Sequence, residues 1–378
     1  MRITKIKKFI VGNTFKNWMF VKVYTDEGLV GLGEATDGLS TMSQAASLDE
    51  LEDLVIGQNP MYPERLWQFL YKKLYLKANI AVNGITLACW DILGKALGVP
   101  VWQLLGGKQR DRLRLYANGW YTGPRNPESY AEAALDMKKK GYTALKFDPF
   151  GKAYMSISHE EEKVSQSLVE AVRMAVGTDV DLCIEAHDRF SIPDAIRIGR
   201  WLEAYSPMFL EAPVHTCDVE AAETVARAIH VPVATGEQFH TLREFIDFSR
   251  ARSIAYVQPE VMNLGLYVTL KACAISEANH QLVACHQAQS PFCTAVNAHI
   301  HAIVPNFLIQ ECFDDTLWSG VWDLLEGVPR AKDGFIEVPD KPGWGVELNE
   351  TECEKYPYSP KNFLRLFDDG WESRLGER

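Results

Sequence analysis

The stretch DLCIEAHDRF, Asp181 to Phe190, sets an apolar run directly before a carboxylate and an imidazole. Alternate side chains of a strand share a face, so Glu185 and His187 are expected to point the same way. The same kind of ending recurs along the chain. ALKFDPF carries Lys146 and Asp148, MFLEAP carries Glu211, PVATGE carries Glu237, AYVQPE carries Glu260, LVACH carries His286 and FLIQEC carries Glu311. A strand surfacing into a loop explains one such residue, but poorly explains a glutamate at the end of five of these runs. Carboxylates brought together repel and raise each other's pKa. A bound cation removes that cost. Glu185, Glu211 and Glu237 lie on consecutive runs and offer three oxygen donors, a set that suits Mg²⁺, with Mn²⁺ as the second choice. No His-x-His or cysteine cluster of the zinc type accompanies them.

A hard ion with open positions can hold a substrate carboxylate and stabilise the enediolate left when the adjacent carbon loses its proton. So weak a carbon acid needs a positioned base. His286 is the candidate, with Glu260 accepting its other N–H and raising its basicity. His187, across the mouth, could protonate a departing β-hydroxyl, and the two histidines would then carry out a β-elimination. His215, His240, His299 and His301 are read as solvent-facing or structural. Trp120, Tyr121 and Phe190 follow strand ends and serve either as pocket walls or as packing.

These residues need a frame that brings strand ends together. From about Leu113, eight apolar runs, LRLYANG to FLIQEC, alternate with helical patterns rich in Ala, Glu and Arg. That rhythm predicts an α/β fold, a closed (β/α) barrel whose C-terminal strand ends converge on one mouth. Ahead of it, WMFVKVYTDEGLVGLGEAT reads as two strands around a turn, and helical patterns run from about Ser47 to Leu105. The expected organisation is an α+β capping domain over 1–112, the barrel over 113–340, and a C-terminal segment, 341–378, packing back on the cap.

Composition limits the partners. The 378 residues carry a formal charge of −11, which argues against nucleic acid and anionic membrane surfaces. The basic start MRITKIKKFIVG has too short an apolar run for a signal peptide, and no apolar stretch is expected to span a membrane. Eight scattered cysteines without a CxxC pair read as free thiols of a cytoplasmic protein.

With these motifs in place the chain resembles the enolase superfamily, mandelate racemase subgroup, and within it the sugar-acid dehydratases of the galactonate dehydratase type. The motifs are VYTDEGLVGLGEAT and CWDILGKALGVPVWQLLGG in the cap, then FLEAP, ATGE, VQPE and LIQE in the barrel. The resemblance implies a (β/α) barrel with an N-terminal cap, a His base and a Mg²⁺ site. Residue by residue, it implies that Glu185, Glu211 and Glu237 hold the metal and that His286 with Glu260 is the base. It implies that His187 is the general acid, that Lys146 holds the substrate carboxylate, and that Glu311 touches substrate. Asp148 stands where racemases carry a second lysine and is assigned to the substrate; a carboxylate there argues against two-base racemisation. Relatives usually have Asp where this chain has Glu185 and Glu260, and Glu-Glu-Pro where it has Glu-Ala-Pro. The activity implied is dehydration of an aldonate or aldarate to a 2-keto-3-deoxy acid, in a homo-oligomer. The alternatives are a sugar-acid epimerase or cycloisomerase, or a non-catalytic, regulatory member of the superfamily.

Overall fold

The computed structural model describes residues 1–13, 15–77 and 79–372. Its first element is one that the sequence reading passes over. ITKIKKFIVG forms β1 (Ile3–Gly12), antiparallel to β2 (Asn17–Thr25), which pairs in turn with β3 (Val30–Glu34). The strand β1 is an edge, where lysines are tolerated and blunt the apolar alternation. Helices α1 (Thr41–Val55), α2 (Pro63–Lys73) and α3 (Ile80–Leu97) cover the sheet. α1 starts ahead of the predicted Ser47, because its first turns bury little beyond Thr41 and Ala45.

α3 is the spine of the cap. Asn79 caps it, accepting from the N–H groups of Ala81 and Val82, and Gly98 ends it in the left-handed conformation. With a mean hydropathy of 1.3 it is long and apolar enough to cross a membrane, contrary to the sequence expectation, but 72% of it is buried inside the protein. It lies directly on the sheet at two glycines. A Cβ on Gly31 or Gly33 would come within 2.0 Å of a carbonyl oxygen of Ala88 or Gly84. Asp91, buried in α3, accepts from the N–H groups of Leu32 (2.9 Å) and Trp344 (2.8 Å), tying helix, sheet and C-terminal segment together.

From Arg112 the chain forms the barrel. Its strands are β4 (Arg112–Ala117), β5 (Ala144–Phe147), β6 (Asp181–Glu185), β7 (Phe209–Glu211), β8 (Val233–Thr235), β9 (Tyr256–Val257), β10 (Leu282–Val283) and β11 (Gln310–Cys312). Neighbours pair in parallel from β4 to β10, and β11 pairs with β4. The seam between β10 and β11 is closed by backbone: Val283 N–H donates to Asn306 C=O and Leu308 N–H to Val283 C=O, both at 2.8 Å. Each predicted run supplies one strand.

Parallel strands buried on both faces read as continuous apolar runs. Leu115, Leu145, Leu182, Leu210, Val233 and Val257 face the helical shell. Tyr116, Ala144, Cys183, Phe209, Ala234, Ala284 and Ile309 fill the barrel interior. The segment after 340 first packs on the cap, where Trp344 Nε1–H donates to Leu87 C=O (2.9 Å) and Asn17 Nδ2 to Ser359 C=O (2.9 Å). It then leaves the cap for the barrel, and Trp371 Nε1–H donates to Gly151 C=O (2.9 Å).

Candidate active site

The interior layer dictates the site. Two residues beyond a barrel-filling side chain, the next one on the same face is Asn118 after Tyr116, Lys146 after Ala144 and Glu185 after Cys183. It is Glu211 after Phe209, His286 after Ala284 and Glu311 after Ile309. Glu237 does not follow the rule, since it stands three beyond Ala234. Gly236, at φ 127°, supplies the turn that brings Glu237 in, a conformation that favours glycine.

Glu185, Glu211 and Glu237 are all buried and offer oxygen atoms that lie within 4.8 Å of one another. Glu211 Oε2 is buried with no hydrogen-bond partner among the described residues. Such an atom is costly unless something positive meets it. An all-oxygen, acidic donor set with an orphaned oxygen fits a hard divalent cation. Burial pushes the Glu211 carboxyl well up, and the Glu185 charge adds to it. Lys146 stands beneath the cluster, with Nζ 3.1 Å from Glu185, 2.9 Å from Glu211 and 2.8 Å from Glu311. Burial works to lower its pKa, but Glu211, Glu311 and Glu185 hold the ammonium well above its usual value, so it stays charged.

The two histidines flank this cluster, each on its own carboxylate. His286 Nδ1 is 2.7 Å from Glu260 Oε2, and its Nε2 is 3.1 Å from Glu237 Oε2. Burial disfavours the imidazolium, but Glu237, Glu260 and Glu311 outweigh it and raise His286 to about 10. His187 Nδ1 is 2.6 Å from Asp148 Oδ2, and the Arg189 guanidinium bonds the same oxygen. His187 reaches the site by a different route from the one expected. β6 ends at Glu185, His187 and Asp188 take left-handed φ values of 48° and 58°, and the His187 N–H folds back onto Glu185 Oε1 (2.7 Å). Strand alternation therefore does not aim His187; that turn and Asp148 do.

Two assignments change. Asp148 was assigned to the substrate, but it is fully buried behind His187 and bonded to His187, Arg189 and the Phe150 N–H (2.9 Å). Glu311 is also fully buried. Its oxygens are taken by Lys146, by Asn118 Nδ2 (2.8 Å) and by the N–H of Gln287 (2.8 Å), the residue after His286. Neither lines the cavity. Both position residues that do: Asp148 holds His187, while Glu311 holds Lys146 and the His286 loop. Arg189 was missed, because a single arginine after a strand end gives no periodic signal.

Over the cluster lies a cavity of about 430 Å³, an ordinary size for a small-molecule site. Lys146, Glu185, His187, Glu237, Glu260 and His286 form its barrel side. Lys16 and Leu39 from the cap, and Leu364 and Leu366 from the C-terminal segment, close it above. Tyr121 and His240 also line it, whereas Trp120 is packed among Tyr121, Tyr130 and Phe147, and Phe190 against Phe150. His299 and His301 are structural. His301 accepts from the Cys285 N–H (3.1 Å) and contacts Gln310 Oε1 (2.7 Å), and burial lowers both histidines to about 4.

The cap is tied to the strand ends that carry the base. Asn83 of α3 donates to the carbonyls of Met262 (2.8 Å) and Asn263 (2.9 Å), just after Glu260, and Asn263 Nδ2 donates to Glu237 C=O (2.9 Å). Glu34, at the end of β3, accepts from Ser290 Oγ (2.6 Å), which caps the helix Pro291–Ile303 after the His286 loop.

Two family models match. One described as "Enolase C-terminal domain-like" covers residues 129–352, and one described as "Mandelate racemase / muconate lactonizing enzyme, N-terminal domain" covers residues 10–106. The chain belongs to the enolase superfamily, mandelate racemase subgroup. It is 34% identical over 348 residues to the D-gluconate dehydratase of Thermoproteus tenax, covering 90% of this chain and 70% of that one. It is 33% identical over 359 residues to the D-gluconate/D-galactonate dehydratase of Picrophilus torridus, covering 93% and 92%. Among solved structures, the mandelate racemase/muconate lactonizing enzyme-like protein of Roseovarius sp. TM1035 superposes with a TM-score of 0.89 at 31% identity, covering 96% of each chain. The enolase-superfamily barrel with its N-terminal cap is thus this chain's fold.

Proposed function

We propose that the chain is a hydro-lyase that removes water from a sugar acid, an aldonate of the gluconate or galactonate kind, to give a 2-keto-3-deoxy acid. The observation that carries the reading is the pair of histidines facing one cavity across a buried carboxylate cluster, each on its own carboxylate: His286 on Glu260 (2.7 Å) and His187 on Asp148 (2.6 Å). One base and one acid on opposite sides of a substrate are what an elimination needs. The names of the relatives, gluconate and galactonate dehydratases, support the substrate class.

In this reading Glu185, Glu211 and Glu237 would hold Mg²⁺, or Mn²⁺ in its place. Such an ion supplies positive charge to the substrate carboxylate and to the enediolate. Lys146, kept cationic among its three glutamates, adds to that charge from the floor of the site. With Glu237 committed to the ion, the charge that most raises His286 would be offset and Nε2 freed; His286 then takes the C2 proton through Nε2 while Glu260 holds Nδ1 and supports the imidazolium. As the C2–C3 double bond forms, the C3–O bond breaks, and the leaving oxygen takes the His187 proton and departs as water. The enol then ketonises. His187 Nδ1 is committed to Asp148, so the transferred proton is carried on Nε2.

The test is a screen of purified protein with Mg²⁺ against a panel of aldonates and aldarates, with 2-keto acids trapped as semicarbazones. A 2-keto-3-deoxy product from at least one acid is expected. Epimer formation without any keto acid would favour an epimerase, and no turnover of any acid would favour a non-catalytic protein. Dehydration of small sugar acids suits a cytoplasmic site of action, and we keep that location and a homo-oligomeric state as part of the proposal.

A further inference from the structure

The segment 364–372 is built against the acid side of the site. Residues 364–372 run across the mouth, and the buried Trp371 stands edge-on to the His187 imidazole, with ring centroids 5.4 Å apart and planes at 88°. Its Nε1–H donates to Gly151 C=O (2.9 Å), the same oxygen that accepts from Arg189 Nη1 (2.8 Å). The Phe367 ring lies 4.8 Å from the Arg189 guanidinium carbon. Two ion pairs fasten the strap to the barrel, Asp369 to Lys152 (2.6 Å) and Glu372 to Arg125 (3.2 Å). His187 is thus held between Asp148 on one side and Trp371 on another.

We propose that Trp371 is a positioning residue for proton delivery, and that the C-terminal strap thereby belongs to the active site. The inference rests on the reading of His187 as the acid. An imidazole can tilt about its bond to a carboxylate. The indole removes that freedom, and it excludes water that would weaken the charge-assisted contact to Asp148. The Gly151 carbonyl makes the arrangement one unit, since it fixes both the indole and the arginine that bonds Asp148.

The test separates positioning from mere support by changing the leaving group. The probes are D-gluconate and D-galactonate and their 3-deoxy-3-fluoro analogues. In the analogues His286 still takes the C2 proton, but the C3–F bond breaks and fluoride leaves without needing a proton. Trp371→Ala should slow water loss by about tenfold or more, short of the 10²–10⁴-fold typical of losing the acid itself, and leave fluoride loss within about twofold. Trp371→Phe, which keeps a ring edge, should recover most of the rate. Trp371→Leu keeps apolar bulk and gives the same reading should the alanine variant not fold. Parallel slowing of both reactions, or slowing of neither, overturns the inference. His187→Asn is the control. If it shows the split and the Trp371 variants do not, only this inference fails. If it keeps water loss, the acid reading fails and this inference with it.

Discussion

At the scale of single residues, the site consists of charges that each have one partner too many or one too few. Glu211 Oε2 has none among the described residues, Lys146 has three carboxylates, and Asp148 serves both a histidine and an arginine. The arginine matters for the acid. In the proposed reaction Arg189 and His187 Nδ1 share one oxygen of Asp148, so its charge is divided between them. Asp148→Asn keeps the shape and removes the charge. It should lower dehydration by about tenfold to a hundredfold while C2 proton exchange continues, because the base side is untouched. Glu260→Gln should do the opposite and lower exchange and dehydration together, because the imidazolium of His286 loses its support. Parallel loss of exchange in the Asp148 variant, followed by NMR in deuterated solvent, would tie Asp148 to the base step instead.

At the scale of elements, the strand ends were legible because the barrel leaves each strand no polar face. An apolar run with a single charged residue at its end is conspicuous, so Glu185, Glu211, His286 and Glu311 could be read, and their partners with them. The limit is the last residue of the strand. Past it the period of two is no longer guaranteed: it still carries to Asn118 and His286, but Asp148, which that rule would have put beside Lys146, lies behind His187 instead. Contacts made by distant segments, such as Trp371 on His187 and Glu34 on Ser290, leave no local pattern at all. The helix Pro291–Ile303 joins the two halves. Ser290→Ala should destabilise the fold by roughly 2 kcal/mol, since it removes an N-cap and leaves Glu34 Oε2 without that donor. The same helix carries His299 and His301, both lowered by burial from the ordinary 6.5 to about 4. The native state keeps them neutral while the unfolded chain protonates them, so stability is lost as pH falls from about 6.5 towards 4. Each can contribute roughly 3 kcal/mol at the acid end, at about 1.4 kcal/mol per pKa unit. Urea unfolding at pH 7 and pH 5 should show the loss, and His301→Gln should reduce it; an unchanged difference would remove His301 from the account.

At the scale of the whole molecule, cap, barrel and C-terminal segment all contribute to one cavity, and none encloses it alone. A cation that binds the folded carboxylate cluster and not the unfolded chain must stabilise the fold, by about 2.7 kcal/mol at a hundredfold excess over its Kd. Chelator should abolish activity, Mg²⁺ should restore it, and the melting temperature should rise with Mg²⁺ concentration in wild type but not in Glu211→Gln. Equal rises in both proteins would place the ion elsewhere. Light scattering should give a mass at least twice that of the chain if it assembles as the resemblance implies. In the proposed reaction His286 and His187 act on opposite sides of one substrate as base and acid. This assignment is tested most directly by following C2–H exchange and water loss together, in D₂O by proton NMR, for His286→Asn and His187→Asn. His286→Asn should lose both, by about 10²–10⁴-fold or more, and His187→Asn should lose water elimination steeply while exchange at C2 persists. Near wild-type dehydration by His187→Asn would contradict the assignment.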